Sequence, residues 1–251
     1  MDAYTGFASV YDEFMEDVPY DKWRDLIVRT LKEHGIADGL VCELGAGTGE
    51  MTGRLKDAGF DMIGVDNSEE MLGIARAKEG EGNDILYLCQ DMREFELYGT
   101  VRAIVSVCDS VNYITEFEDL VKVFKLVNNY LDPEGLFLFD FNTRHKYRDV
   151  IGDTTIAEDR DDASFIWDNT YYPDENINEY NITFFVKEEG TDLYRRFKET
   201  HFQRGYTLTE VKRALKQAGL VFIDALDSDT EEGVSSDSER IFVIAREMGK
   251  K

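Results

Sequence analysis

Between residues 40 and 140 the sequence switches repeatedly between two periodicities, and that alternation constrains the fold more tightly than any other feature. Short apolar runs at 40–44, 62–66, 85–89, 101–107 and 136–140 have the length and composition of strands. Amphipathic stretches separate them. Met51, Leu55 and Ala58 share one helical face, and Phe117, Leu120, Val121, Phe124, Val127 and Leu131 form a long stripe on another. Strand and helix in turn predict a parallel sheet covered on both faces. The near-continuous apolar run 101–107 agrees, because a strand buried on both sides has no polar face to show.

The first strand-to-helix turn is built for close approach. Val41-Cys42-Glu43-Leu44-Gly45-Ala46-Gly47-Thr48-Gly49 carries an apolar run into a carboxylate and then alternates three glycines with small residues. Such a turn brings bare N–H groups and a helix N-terminus up to a ligand. A second acid, Asp66, closes the next apolar run, at a spacing that suits a carboxylate gripping ribose hydroxyls. A dinucleotide fingerprint needs G-x-G-x-x-G, and here Glu50 stands where its third glycine would be. A phosphate loop is absent too, since no lysine follows a suitably spaced glycine pair. Glu43 would repel a pyrophosphate and welcome the cationic amino group of an amino-acid-bearing nucleoside. The plainer alternative is a ligand-free turn, with Asp66 capping the helix that starts near Ser68.

The pattern E-x-G-x-G-x-G at Glu43 to Gly49 resembles motif I of class I S-adenosylmethionine-dependent methyltransferases. Further marks follow in the family's order. Asp66 sits where the family places its ribose-binding acid, and Gln90-Asp91-Met92 resembles its adenine-binding segment. Val107-Cys108-Asp109-Ser110 resembles the fourth-strand motif beside the methyl group, and 136–140, after Pro133-Glu134-Gly135, the fifth strand. The resemblance covers residues 35–142 and 206–246. It implies S-adenosylmethionine as cofactor. Glu43, Gly45, Ala46, Gly47 and Gly49 would surround its aminocarboxypropyl part, and Asp66 would take the ribose. Asn67 and Met71 would line the adenosine, Asp91 and Met92 would hold the adenine, and Cys108 would adjoin the methyl group. Tyr4, Phe7, Ala8, Tyr11, Asp12 and Asp17-Val18-Pro19-Tyr20-Asp21-Lys22-Trp23 resemble the N-terminus of a group of bacterial small methyltransferases. In that group a Tyr-Asp pair caps the cofactor, which assigns Tyr11 to a lid. Met71, Met92 and Tyr11 read equally well as core packing.

After residue 142 the rhythm changes. An acidic stretch, 153–163, precedes three strand-like runs at 164–172, 177–187 and 193–206, broken by turn-forming residues at 173–176 and 189–192. These predict an antiparallel β insert, 143–206, between core segments 36–142 and 207–251, with residues 1–35 as a cap of two helices, 4–16 and 21–34, and Asp21 as N-cap of the second. Thr207 should cap a helix over 208–218, followed by strands at 221–226 and 240–245. The predicted fold is therefore α/β and Rossmann-like. It has a mainly parallel seven-stranded sheet with helices on both faces, whose last strand the resemblance makes antiparallel. The insert is similar to one that roofs the substrate site in sugar-amine and glycine N-methyltransferases. Candidate acceptor contacts are Asp109, Asn112 and Tyr113 after the fourth strand, Asn142 after the fifth, and Trp167, His201 and Arg204 from the insert. Strand alternation puts Phe197, Glu199, His201 and Gln203 on one face, where a neutral His201 could take a proton from the acceptor. Asp109 is the second catalytic candidate; ordinary polar residues on a half-exposed sheet are the plainer reading of both.

Composition narrows the partner. Lys and Arg number 28 against 52 Asp and Glu, a net charge of −24, which opposes binding to nucleic acid or to an anionic membrane. The acidity either solvates the surface or draws in a cationic substrate. Cys42, Cys89 and Cys108 lie in or beside apolar runs without metal-binding spacing, and the three histidines are far apart, so buried free thiols in a reducing cytoplasm and no metal are expected. The acidic start, Met1-Asp2-Ala3-Tyr4, is unlike a secretory signal. The sequence thus points to a cytoplasmic enzyme moving a methyl group from S-adenosylmethionine to a nitrogen or oxygen of a small molecule. A protein methyltransferase with a basic partner and a non-catalytic nucleoside-binding module are the other readings.

Overall fold

The computed structural model describes residues 11–12, 14–79, 84–188 and 190–250. Helix α1 (Tyr20–Glu33) leads into β1 (Leu40–Leu44), α2 (Glu50–Asp57), β2 (Asp61–Asp66), α3 (Glu69–Lys78), β3 (Leu86–Cys89) and β4 (Val101–Ser106). Next come a short 3₁₀ turn (Ser110–Tyr113), α4 (Phe117–Tyr130) and β5 (Leu131–Asn142). After the insert, α5 (Leu208–Ala218), β10 (Leu220–Asp227) and β11 (Arg240–Glu247) complete a seven-stranded sheet of order β10-β11-β5-β4-β1-β2-β3. Strands β1 to β5 are parallel, while β11 runs antiparallel to both β5 and β10.

Strand alternation splits the core in two. Cys42, Ile104, Phe137 and Phe139 face α4 and α5, where Phe124, Val127 and Leu215 are fully buried. Val41, Val105 and Leu138 face α1 and α2, where Ile27, Leu31 and Leu55 are fully buried. Helix α5 matches its expected bounds, with a capping box in which Thr207 and Glu210 satisfy each other's backbone N–H groups.

The insert is a separate antiparallel sheet of four strands in the order β6-β7-β8-β9 (Thr155–Asp159, Ala163–Tyr172, Ile177–Lys187, Tyr194–Arg204). Strand β6 lies inside the acidic stretch, where no strand was expected. It is an exposed edge strand with a sequence too polar to show a buried face. A helical turn at Lys146–Ile151 was equally unforeseen. Strand β5 begins at Leu131, five residues before its apolar run, and passes through Glu134 at φ 63°. Helix α1 starts one residue before Asp21, which pairs with Arg24 and Arg54 instead of capping. Cys89 is exposed, contrary to expectation, because β3 is the edge of the sheet. Residues 11, 12 and 14 are helical; Tyr4, Phe7 and Ala8, with the rest of the expected helix up to residue 10, lie outside the described residues. Phe14 packs edge-on against Phe165 of β7 at 5.0 Å, so the N-terminal segment touches the insert. Among the described residues, no helix is long and apolar enough to cross a membrane.

Candidate active site

The glycine turn is tied to β2 before any ligand arrives. Gly45 and Ala46 donate their N–H groups to Val65 O at 2.8 and 3.0 Å. A Cβ on Gly45 would stand 2.3 Å from Ser110 Oγ, and its φ of 76° also favours glycine. Gly47 differs: a Cβ there would meet nothing within 4 Å, so this face of the backbone is open. Its N–H donates to Asp66 Oδ2 at 2.8 Å, and Ser68 N–H donates to Asp66 Oδ1 at 2.9 Å. A carboxylate accepts about four hydrogen bonds, so both oxygens keep capacity for a pair of hydroxyls. Burial raises the Asp66 carboxyl above its usual range, and the N–H bonds pull against that. Ser68 also caps α3 through Met71 N–H. The cap of this helix is therefore Ser68 itself and not Asp66.

Glu43 is 2% exposed and accepts the Thr52 hydroxyl. Burial pushes its carboxyl up to about 8. Asp91 is gripped by Arg93 through Nε to Oδ1 at 2.9 Å and Nη2 to Oδ2 at 2.5 Å, which holds it below the usual carboxylate range. The Thr48 hydroxyl donates to Asp12 at 2.6 Å, fastening the N-terminal segment over the turn.

Beyond β4 the backbone is strained: Cys108 and Asp109 both adopt left-handed φ, 60° and 54°. Asp140 holds them there, accepting Cys108 N–H at 3.1 Å and Asp109 N–H at 2.8 Å. Arg240 bridges Asp140 at 3.0 Å and Asp109 at 2.7 Å, with its guanidinium over the Trp23 ring. Burial works against the Arg240 charge, but the two carboxylates outweigh it and raise its pKa. Gln203 donates to the other oxygen of Asp109 at 2.7 Å. Asp109, the second catalytic candidate, thus has both carboxylate oxygens engaged, by Arg240 and Gln203. His201, 4% exposed, contacts Glu199 Oε2 through Nε2 at 3.2 Å and the Tyr113 hydroxyl through Nδ1 at 3.4 Å.

Both halves line one continuous cavity of about 470 Å³ between the carboxyl ends of the strands and the inner face of the insert. Tyr11, Glu43, Gly45, Ala46, Gly47 and Asp66 lie on its wall, as do Asn67, Met71, Asp91, Met92 and Cys108. Asp109, Tyr113, Asn142, Trp167 and His201 meet them from the acceptor side. Gly49, Asn112 and Arg204 do not line it. Gly49 faces Tyr87 and Ala75, so it serves the turn rather than a ligand. Asn112 is fully buried, bonding the Asn142 and Arg204 backbones. Arg204 donates to Thr115 O and pairs with Glu210. Sequence reasoning missed Lys146 and the structural weight of Gln203, and it marked Arg240 at the start of the last strand as a partner for an acid without fixing which one. Gln203 was detectable as the next residue on the His201 face. Arg240 reaches Asp109 only because β11 lies beside β5, a pairing no local pattern displays. Among the described residues, no group of His, Cys, Asp or Glu could hold a metal.

The residues fit an amino-acid-bearing nucleoside: a buried acid for an ammonium, a half-satisfied acid for a ribose, and open backbone between them. Comparison with known proteins agrees. A family model described as a methyltransferase domain matches residues 41–135. The protein named "Putative methyltransferase YqeM" of Bacillus subtilis (strain 168) is 39% identical over 244 residues, covering 97% of this chain and 96% of the relative. A crystal structure of an S-adenosylmethionine-dependent methyltransferase from Clostridium acetobutylicum superposes with a TM-score of 0.88 at 32% identity, over 98% of this chain and 99% of that one. The fold is also shared with CalS10 of Micromonospora echinaspora, an amino pentose methyltransferase solved with S-adenosylmethionine bound, at a TM-score of 0.75, 14% identity and 99% coverage of both chains.

Proposed function

This chain belongs to the class I S-adenosylmethionine-dependent methyltransferases, with S-adenosylmethionine as its cofactor, and we propose that it methylates the nitrogen of a small amine held beneath the insert. The observation that carries this reading is the single cavity in which the cofactor-side acids and the insert's inner face meet. A cavity of about 470 Å³ roofed on one side by the insert suits a small acceptor. The fold shared with the sugar N-methyltransferase KedS8, at a TM-score of 0.79, supports nitrogen over oxygen. Two further relatives, glycine/sarcosine N-methyltransferases from Halorhodospira halochloris and Aphanothece halophytica, support it again.

Glu43 would hold the cofactor's ammonium, Asp66 its ribose and Asp91 with Met92 its adenine. When bound, the cofactor supplies an electrophilic methyl group on a sulfonium, so the protein's task is alignment and proton removal. The acceptor nitrogen gains the methyl carbon, the sulfur keeps the electrons of the broken C–S bond, and a proton must leave the nitrogen. Tyr113, His201 and Glu199 form a hydrogen-bonded line from the cavity wall into the buried sheet, along which that proton can move. The free thiols suit a cytoplasmic setting. Incubation with methyl-labelled S-adenosylmethionine and a low-mass cell extract tests the reading. Label should enter a small amine with matching release of S-adenosylhomocysteine; label found only in protein, or no turnover, would reject it.

A further inference from the structure

Among the described residues, three lysine or arginine side chains line the cavity: Arg93, Lys146 and Arg240. Arg93 is paired with Asp91, and Arg240 with Asp109 and Asp140. Lys146 makes no side-chain hydrogen bond or ion pair among the described residues. Arg240 repels it, while Asp109, Glu239 and Asp229 attract it from beyond pairing distance. Burial and then Arg240 lower its pKa, and an anion beside it would raise it again.

A second unused group lies four residues earlier. Asn142 lines the same cavity, is 3% exposed, and its Oδ1 has no partner among the described residues. Its orientation follows from the network behind it. The Asp109 carboxylate can only accept, so Gln203 must offer its NH₂, at 2.7 Å. Gln203 Oε1 then accepts the Tyr147 hydroxyl proton at 2.7 Å. Tyr147 has no second proton, so its oxygen accepts from Asn142 Nδ2 at 3.0 Å. Asn142 is left with a buried carbonyl oxygen that no donor satisfies, and a turn of its amide would offer that oxygen to an N–H donor in the cavity.

We propose that Asn142 and Lys146 form a two-point subsite for a zwitterionic acceptor: Asn142 Oδ1 takes an N–H of the acceptor amine, and the Lys146 ammonium pairs with an anionic group, carboxylate or phosphate, on the same molecule. The inference rests on the methyl-transfer reading above. A neutral amine keeps an N–H for Asn142 while its lone pair faces the methyl group. An acceptor that carries its own ammonium also offsets the repulsion that a protein of charge −24 exerts on an anionic group.

Protein saturated with S-adenosylhomocysteine is titrated calorimetrically with glycine, β-alanine and phosphoethanolamine, each beside the counterpart that lacks its anionic group: glycinamide, β-alaninamide and ethanolamine. At least one anion-bearing member should bind at least tenfold more tightly than its counterpart, and which member does so separates carboxylate from phosphate. Lys146→Met should erase the preference and Lys146→Arg should keep part of it, with S-adenosylhomocysteine affinity unchanged in both. Lys146→Gln replaces the Met variant if that one does not fold. No preference for the anion-bearing members in the wild type, or an undiminished one in the Met or Gln variant, overturns the subsite. Failure of S-adenosylhomocysteine itself to bind would instead count against the methyl-transfer reading.

Discussion

Glu43→Gln should separate the protein's stability from its affinity for cofactor. Burial opposes the Glu43 charge more than the Thr52 hydrogen bond favours it, so the native carboxyl titrates at about 8. In the unfolded chain a glutamate titrates near about 4.3. Between those values the native state holds a proton that the unfolded chain has lost, so stability falls as pH rises, by about 1.4 kcal/mol per unit. From about pH 6 to about pH 8 this one group removes about 2–3 kcal/mol. Glutamine still accepts the Thr52 hydroxyl but does not titrate, so that share of the slope should vanish. Urea unfolding of ligand-free wild type and variant at both pH values measures it, since all other acids cancel in the difference. With cofactor the sign reverses, because an ammonium stabilises the charged carboxylate. Near pH 6.5, S-adenosylhomocysteine binding should release about one proton more from wild type than from the variant, read by calorimetry in buffers of different ionisation enthalpy. The variant should bind more weakly by about 1.5–3 kcal/mol, the range for hydrogen bonds to charged groups. Equal pH slopes, or equal proton release, would refute the argument.

Other substitutions probe the remaining wall. Asp66→Ala should weaken S-adenosylhomocysteine binding by about 1.5–3 kcal/mol in calorimetry, since it removes the acceptors meant for the ribose. His201→Ala should cut turnover about 10²-fold in the labelled-methyl assay if the histidine moves the acceptor proton, with cofactor affinity unchanged. We expect no nucleic-acid binding, so a low-salt gel shift, the condition most permissive for electrostatic association, should show no complex.

Much of this architecture was legible because it is written locally. Strand β8 and helix α5 fall on their expected bounds: turn residues fence the strand, and Thr207 with Gly219 fences the helix. The cofactor side was legible for the same reason, since Glu43, Gly45, Gly47 and Asp66 sit on two adjacent turns whose chemistry is fixed by residue type. The acceptor side was not. Whether Asn112 faces a ligand or the backbone of Arg204 depends on how β9 meets the 3₁₀ turn, a contact across 92 residues. Which acid Arg240 meets is not written locally either, because β11 brings it beside Asp109 across 131 residues. Strand β6 escaped notice because an exposed edge strand needs no apolar alternation. Lys146 stands on a helical turn that carries no sequence signal of its own.

The most direct test of the account is a crystal structure of the protein with S-adenosylhomocysteine. The account predicts the ribose on Asp66, the amino group at Glu43, and the sulfur turned toward Tyr113 and Asn142 under the insert. A nucleoside bound elsewhere, or seated in this cavity with its sulfur turned away from the insert, would contradict it.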